Sequence, residues 1–288
     1  MPATALALVL MAAVLHTGWN ALAKRGRDQL CFLWWAITVA TIMATPISVP
    51  LLMSRGVPAA ARPFIAATIA VHVIYFFTLG RAYRSGEFSV VYPVSRGLGV
   101  ALVPVLAAVF FDERPSALGA VGVALVVAGI VALQLISAGP RRMGNARRDM
   151  APGVWWALAA GLTIAGYSLV DKGGVARLHP VPYIQLMFLG MSLLLLPVVL
   201  ADPNPLRREW TANWRTIIPA AVMTMGAYLL VLFAFQLSKA AYVVATREVS
   251  IVLSALIGSV WFEEGRLLSR LAGAAVVLAG VVCVALAR

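Results

Sequence analysis

The stretch VVYPVSRGLGVALVPVLAAVFF (Val90–Phe111) is apolar at nearly every position, yet Arg96 lies inside it. The chain returns to the same arrangement in AYVVATREVSIVLSALIGSVWF (Ala241–Phe262), where Arg247 and the adjacent Glu248 interrupt an apolar run. Runs of this length suit helices that cross a bilayer, which need about 20 apolar residues. A guanidinium at such depth costs at least about 2.5–3.5 kcal/mol on insertion scales, so it is expected to face a partner or a polar cavity.

Composition extends this reading to the whole chain. Of 288 residues 62% are hydrophobic and only 12% charged, and the mean hydropathy is +0.92. A soluble domain carries about 25% charged residues. The class is therefore all-α integral membrane protein, since transmembrane strands would give shorter, alternating segments. The net charge of +12 comes from bases at the ends of apolar segments, where lipid head groups and orientation rules account for them, so no nucleic-acid partner is expected. Two cysteines, Cys31 and Cys283, are too few for a disulfide framework or a cysteine metal site. The first apolar run, from Pro2 to Leu22, contains His16 and Asn20 and reads as a first span rather than a signal peptide.

Ten spans are expected, at roughly 3–23, 30–52, 63–83, 88–111, 116–136, 152–171, 183–201, 216–237, 240–262 and 267–287. The longest connector, SAGPRRMGNARRDMAPG (Ser137–Gly153), separates two halves of five. The halves align: one shift of 151 positions puts Arg96 on Arg247, Glu113 on Glu264, Gly122 on Gly273 and Gly129 on Gly280. A slightly smaller shift puts GWNALAK (Gly18–Lys24) on GYSLVDK (Gly166–Lys172). Five is odd, so two such copies in one chain must lie upside down relative to each other, an inverted 5+5 repeat. The expected organisation is a first five-helix repeat over 1–140, a basic connector over 141–151 and a second repeat over 152–288. Each arginine then lies roughly 10–12 Å below a surface, at 1.5 Å per helical residue.

These features together resemble the drug/metabolite transporter superfamily, specifically its ten-span members with two EamA-type domains. The resemblance rests on the duplication and on the turn after the fourth span of each half, FFDERPS and WFEEGRL, each followed by a glycine-rich span, GAVGVALVVAGIVAL and RLAGAAVVLAGVVCVAL. It implies a polytopic transporter of small organic metabolites, and leaves the substrate open.

Arg96 reads as a substrate or gating contact, with an Arg96–Glu248 lock as the structural alternative. Pro93, Gly97 and Gly99 are expected to loosen the helix around it. Arg247 and Glu248 point about 100° apart on a helix, so Arg247 is placed in the cavity and Glu248 opposite a base of the other half, as first candidate for ion coupling. His16, Asn20 and Lys24 recur every four residues on one helical face, with Trp19 beside it. His72 and Tyr75, Tyr92, Tyr167 and Tyr228 are further candidate substrate contacts, against the reading of ordinary packing aromatics. Trp34, Trp35, Trp155, Trp156, Trp210 and Trp214 read as interfacial anchors. The pairs Asp112/Glu113 and Glu263/Glu264 read as solvated turn charges, and Lys24 and Lys172 as snorkelling bases.

The sequence holds no HExxH, GxSxG or P-loop motif, so neither an enzyme nor a cofactor or metal is expected. The leading expectation is a secondary transporter, an exporter or exchanger, of a small polar metabolite bearing a carboxylate, phosphate or phosphonate, such as an amino acid. Arginine forks suit those groups. The alternatives are multidrug efflux and a lipid-carrier flippase. Expected partners are the substrate and the lipid bilayer, with a second copy of the chain as a candidate, and the expected location is the bacterial inner membrane, multi-pass. Lys and Arg fall about two to one on the side of the central connector, which by the positive-inside rule puts that connector in the cytoplasm and both termini outside.

Overall fold

The computed structural model describes residues 1–23, 26–86, 88–138, 151–253 and 267–287, with the side chains of 88–90, 92–93, 133–138, 151 and 267–271 outside the description. The expected connector, the WFEEGRL turn, Lys24, Ser254 and the side chain of Tyr92 therefore lie outside the described residues. The described chain is helical, with no strand. The helices are α1 (Ala3–Ala23), α2 (Gln29–Arg55), α3 (Arg62–Ser85, after a 3-10 turn over Ala59–Ala61), α4 (Phe88–Phe111), α5 (Ala117–Ala138), α6 (Ala151–Val175), α7 (Pro180–Leu200), α8 (Pro203–Leu237), α9 (Ala240–Arg247) and α10 (Leu267–Leu286). Seven of the described segments are long and apolar enough to cross a membrane, and two shorter apolar stretches, Ala117–Ala132 and Ala272–Leu286, accompany them.

Local chemistry sets the helix ends. The carboxylate of Asp28 accepts from the Cys31 amide at 2.9 Å and starts α2, while Gly56, with φ +64°, ends it in a conformation that side chains avoid. His179 caps α7, with Pro180 at its first position. Two of the helices that outrun their expected bounds carry buried acids. α6 continues past Asp171 to Val175, and α8 begins at Pro203 rather than at 216, because PNPLRREWTANWR contains no breaker once its first prolines are past. That lead-in buries Glu209, which accepts from the amides of Arg27 and Asp28 at 3.1 and 3.0 Å and from the side chain of Asn213.

Two compact units make up the chain: Met1–Ala7 with Ile74–Leu169 and Leu237–Arg288, and Leu8–Val73 with Val170–Gln236. Each draws helices from both sequence halves. In the first, α5 and α10 cross in antiparallel contact through glycines. A β-carbon on Gly122 would sit 2.7 Å from the Gly280 carbonyl oxygen, one on Gly280 would sit 2.6 Å from that of Gly122, and one on Gly129 would meet Val277 and Gly273. Membrane helices associate through such small residues because backbone approach replaces a hydrophobic driving force. α4 runs unbroken through Pro93, Gly97 and Gly99, so the expected loosening is absent there. The glycines near Arg96 serve packing instead, with Gly99 against Ile164 and Gly161 against Ser95 and Leu98.

In the second unit, Trp34 and Trp35 are anchors between helices rather than an interfacial belt. Their indoles donate to the carbonyls of Ser192 and Leu206, each at 3.0 Å. Trp35 also lies 4.6 Å, centroid to centroid, from Trp210.

Candidate functional site

The first unit contains a charged cluster. Arg96 on α4 is 7% exposed, Arg247 at the end of α9 6%, and Glu248 fully buried. Arg96 grips the Glu248 carboxylate with both faces of its fork, Nε donating to Oε2 at 3.1 Å and Nη2 to Oε1 at 2.8 Å. Bidentate pairing of this kind is the strongest geometry open to a guanidinium and a carboxylate. The lock weighed from sequence is therefore what these two residues form. Glu248 meets a base of the other sequence half, as expected, and that base is Arg96.

Arg247 goes elsewhere. Its Nη2 donates to the Tyr167 hydroxyl at 3.2 Å, and its guanidinium lies 5.9 Å from the centre of the Tyr167 ring. Tyr75 stands edge-on to Tyr167 at 5.7 Å. The divergence follows from the backbone. α9 stops at Arg247, Glu248 occupies a turn whose amide reaches back to Ala245 and Thr246, and helical backbone resumes over 249–253. Breaks within membrane spans are tolerated where protein or a cavity surrounds them, and they form ion and substrate sites in transporters. The acidic turn between α4 and α5 also has a structural task. Glu113 is not a solvated charge, because its Oε2 accepts from the Ala240 amide at 2.7 Å and caps the start of α9.

The second unit holds a different cluster, around Asp171 on α6, which is fully buried. Its Oδ1 accepts from the Thr68 hydroxyl at 2.6 Å and the Tyr183 hydroxyl at 2.9 Å, and its Oδ2 accepts from the Tyr228 hydroxyl. The Tyr228 oxygen also lies 3.0 Å from His72 Nε2. His72 Nδ1, on the opposite side of the ring, lies 2.9 Å from the Thr68 carbonyl and 3.1 Å from its hydroxyl. Phe188 and Met187 of α7 border the group. Lys172 stands next to Asp171 in the sequence. Its ammonium donates to the Phe235 carbonyl at 2.9 Å and closes the end of α8.

The expected contact residues thus sort into two groups, Tyr167 on Arg247 with Tyr75 against its ring, and Tyr228 on Asp171 with His72 one link further on. His16, Trp19 and Asn20 form a third, local group on α1. The Trp19 indole donates to His16 Nδ1 at 3.2 Å, and the Asn20 amide donates to the His16 carbonyl at 2.7 Å. Asp171 was missed from sequence because the sixth span was ended at it. Its signal was available in GYSLVDK: an acid inside an apolar helix is a functional candidate by default.

Long apolar helices enclosing charged side chains define a polytopic α-helical membrane protein. Comparison with known proteins gives the family. Residues 151–286 match the EamA-like transporter family, and residues 32–126 match the Small Multidrug Resistance protein family. The chain is similar to the nicotine metabolites export pump subunit NepA of Paenarthrobacter nicotinovorans, 30% identical over 39% of this chain and 94% of that one. It is also similar to the uncharacterized membrane protein YvaE of Bacillus subtilis, 36% identical over 22% of this chain, and spans about half (51%) of that relative's length. A solved crystal structure superposes with a TM-score of 0.74 over 98% of this chain and 96% of its own, at 17% identity, which establishes a shared fold. The chain belongs to the drug/metabolite transporter superfamily as an EamA-type member, a multi-pass protein of the membrane, which in bacteria is the inner membrane.

Proposed function

We propose that this protein is a secondary transporter that moves a small polar metabolite bearing a carboxylate, phosphate or phosphonate group, such as an amino acid, by alternating access. The observation that carries the reading is Arg247: a guanidinium 6% exposed, set at the break of a membrane helix and bonded to Tyr167, whose ring Tyr75 meets edge-on. A planar fork with aromatic sides suits an anionic group on a small organic body. Arg96 and Glu248 hold the neighbouring backbone, and gating through their separation belongs to the same reading. In this reading the chain is a ten-span inverted 5+5 repeat, with repeats over 1–140 and 152–288 and a connector over 141–151. The crosswise packing of Gly122 on Gly280 and of Gly129 on Gly273 supports it, because a two-fold axis that exchanges the halves maps one contact onto the other. The separate family matches of the two halves support it as well. The Met1 ammonium donates to the carbonyls of Ala285 and Ala287, in keeping with an even number of spans. The charge bias supports a reading with both ends outside.

A second reading, export of an organic cation or amine, is favoured by Asp171 beside Tyr228 and Phe188, an acid among aromatics of the kind that suits a cation. The name of NepA, an export pump subunit for nicotine metabolites, supports export of a small organic compound. Counterflow in proteoliposomes, with a panel of radiolabelled amino acids, organic acids, phosphate esters and amines, separates the two. The first reading expects anionic or zwitterionic counterflow that Arg247→Ala abolishes and Arg247→Lys rescues poorly. Counterflow of amines alone, insensitive to Arg247→Ala, overturns it.

A further inference from the structure

The hydrogen-bond geometry around Asp171 poses a counting problem. The Thr68 carbonyl cannot donate, so His72 Nδ1, 2.9 Å from it, carries a hydrogen. The single hydrogen of the Thr68 hydroxyl goes to Asp171 Oδ1, 2.6 Å away. The Tyr228 hydroxyl then has one hydrogen, and two of its neighbours both accept when Asp171 is ionised and His72 is neutral: Asp171 Oδ2, and His72 Nε2 at 3.0 Å. With that hydrogen count, one of the two short contacts sets lone pair against lone pair. Both become hydrogen bonds only when one more proton is present. It sits on Asp171, which then donates to Tyr228 while Tyr228 donates to His72. Otherwise it sits on His72 Nε2, which donates to Tyr228 while Tyr228 donates to Asp171.

We infer that Asp171, Tyr228 and His72 form a proton-binding site, and that the proton loaded there is the coupling ion of the transport cycle. The inference rests on the transport reading for its role in the cycle, though not for the site itself. Loading takes one proton from bulk water onto the triad. Within it both placements are populated and the proton passes between them without net change: Asp171 gives a hydrogen to the Tyr228 oxygen as Tyr228 gives its own to His72 Nε2, converting acid and neutral imidazole into carboxylate and imidazolium. Unloading returns one proton to water.

The groups around the site leave this exchange available. From α3 come Thr68 and His72, from α6 Asp171, from α7 the Tyr183 hydroxyl on Oδ1, and from α8 Tyr228. The described cations of this stretch are turned to carbonyls, Lys172 to Phe235 and Arg177 to Gly173, with Arg177 also over the Phe64 ring. Glu248, the coupling candidate expected from sequence, is gripped by an arginine that does not deprotonate in proteins, and is the poorer proton carrier.

Difference infrared spectroscopy of the full chain in lipid, stepped from alkaline to acid pH, uses the proton itself as the probe. The expected result is a carbonyl band of a protonated carboxylic acid that titrates with the same midpoint as the imidazolium ring bands. It is lost in Asp171→Asn and retained in Glu209→Gln, which removes a different buried acid. Tyr228→Phe keeps the fold's apolar packing and cuts the link, so the carboxyl and imidazolium bands should then titrate with separate midpoints. A wild-type spectrum without the band, a band unchanged by Asp171→Asn, or a common midpoint retained in Tyr228→Phe overturns the inference. The spectra need no substrate. A silent counterflow panel with an intact Asp171 band therefore refutes the transport reading alone, and an active panel without the band refutes the proton site alone.

Discussion

Two buried carboxylates in this protein keep different company. Glu248 is gripped by both nitrogens of the Arg96 fork at 2.8 and 3.1 Å. Asp171 is surrounded by hydroxyls, from Thr68, Tyr183 and Tyr228, with a histidine one link further on. Both are fully buried, so burial does not separate them. Their partners do. An arginine is a permanent charge, and its pair with Glu248 is fixed unless the pair separates. Hydroxyls and an imidazole each give and take hydrogens, so their charge state is free to change. The charged cluster is suited to hold backbone and bind an anion, and the hydroxyl cluster to exchange a proton. In a membrane, where a lone charge is costly, the identity of the partner decides what a buried acid can do.

The sharpest way to break this comparison is to remove one member of the ion pair. Glu248→Ala takes the carboxylate away from the buried Arg96 guanidinium, and removal of one partner of a buried pair costs about 3–5 kcal/mol. Thermal unfolding in detergent should show it, and Arg96→Met combined with Glu248→Met should recover most of the loss. A Glu248→Ala protein as stable as the native one would mean that the pair is not locked. Asp171→Asn should cost less, about 1–3 kcal/mol, since the amide retains one acceptor oxygen for the hydroxyls. Tyr228→Phe should cost about 1 kcal/mol, one hydrogen bond's worth, while leaving the packing intact. At the small end stands the exposed pair of Arg114 and Asp112, 3.7 Å apart in the turn before α5. Asp112→Asn should leave the unfolding temperature unchanged, because water screens such pairs. A loss there comparable with that at Glu248 would show that burial is not what gives the ion pair its weight.

Much of this arrangement was legible in the sequence, and what was not has physical causes. Apolar length marked out the long helices, and the two glycine-rich segments singled out in the sequence are the ones that cross closely as α5 and α10, because Gly122 and Gly280 leave backbone exposed for contact. Arg96, Arg247 and Glu248 stood out because charge is costly in hydrocarbon. The break at Glu248 was not legible, since VVATREVSIVL contains neither glycine nor proline and the turn depends on where the two side chains find partners. Asp171 was overlooked for the opposite reason. Beside Lys172, near the expected end of a span, it resembled an interfacial charge, and only the continuation of α6 to Val175 takes it inside. The hydroxyls and histidine that surround it come from three other helices, and no sequence spacing joins them.

The division of labour between the clusters is tested most directly by comparing two transport modes in one proteoliposome preparation, with the compound that gives the strongest counterflow in the panel. Equal-pH exchange needs only binding and alternation, whereas accumulation driven by an imposed pH gradient needs proton coupling. Asp171→Asn is predicted to retain exchange and lose gradient-driven accumulation, and Arg247→Ala to lose both. An Asp171→Asn protein that still accumulates substrate against its gradient at the native rate, driven by pH alone, would contradict the account.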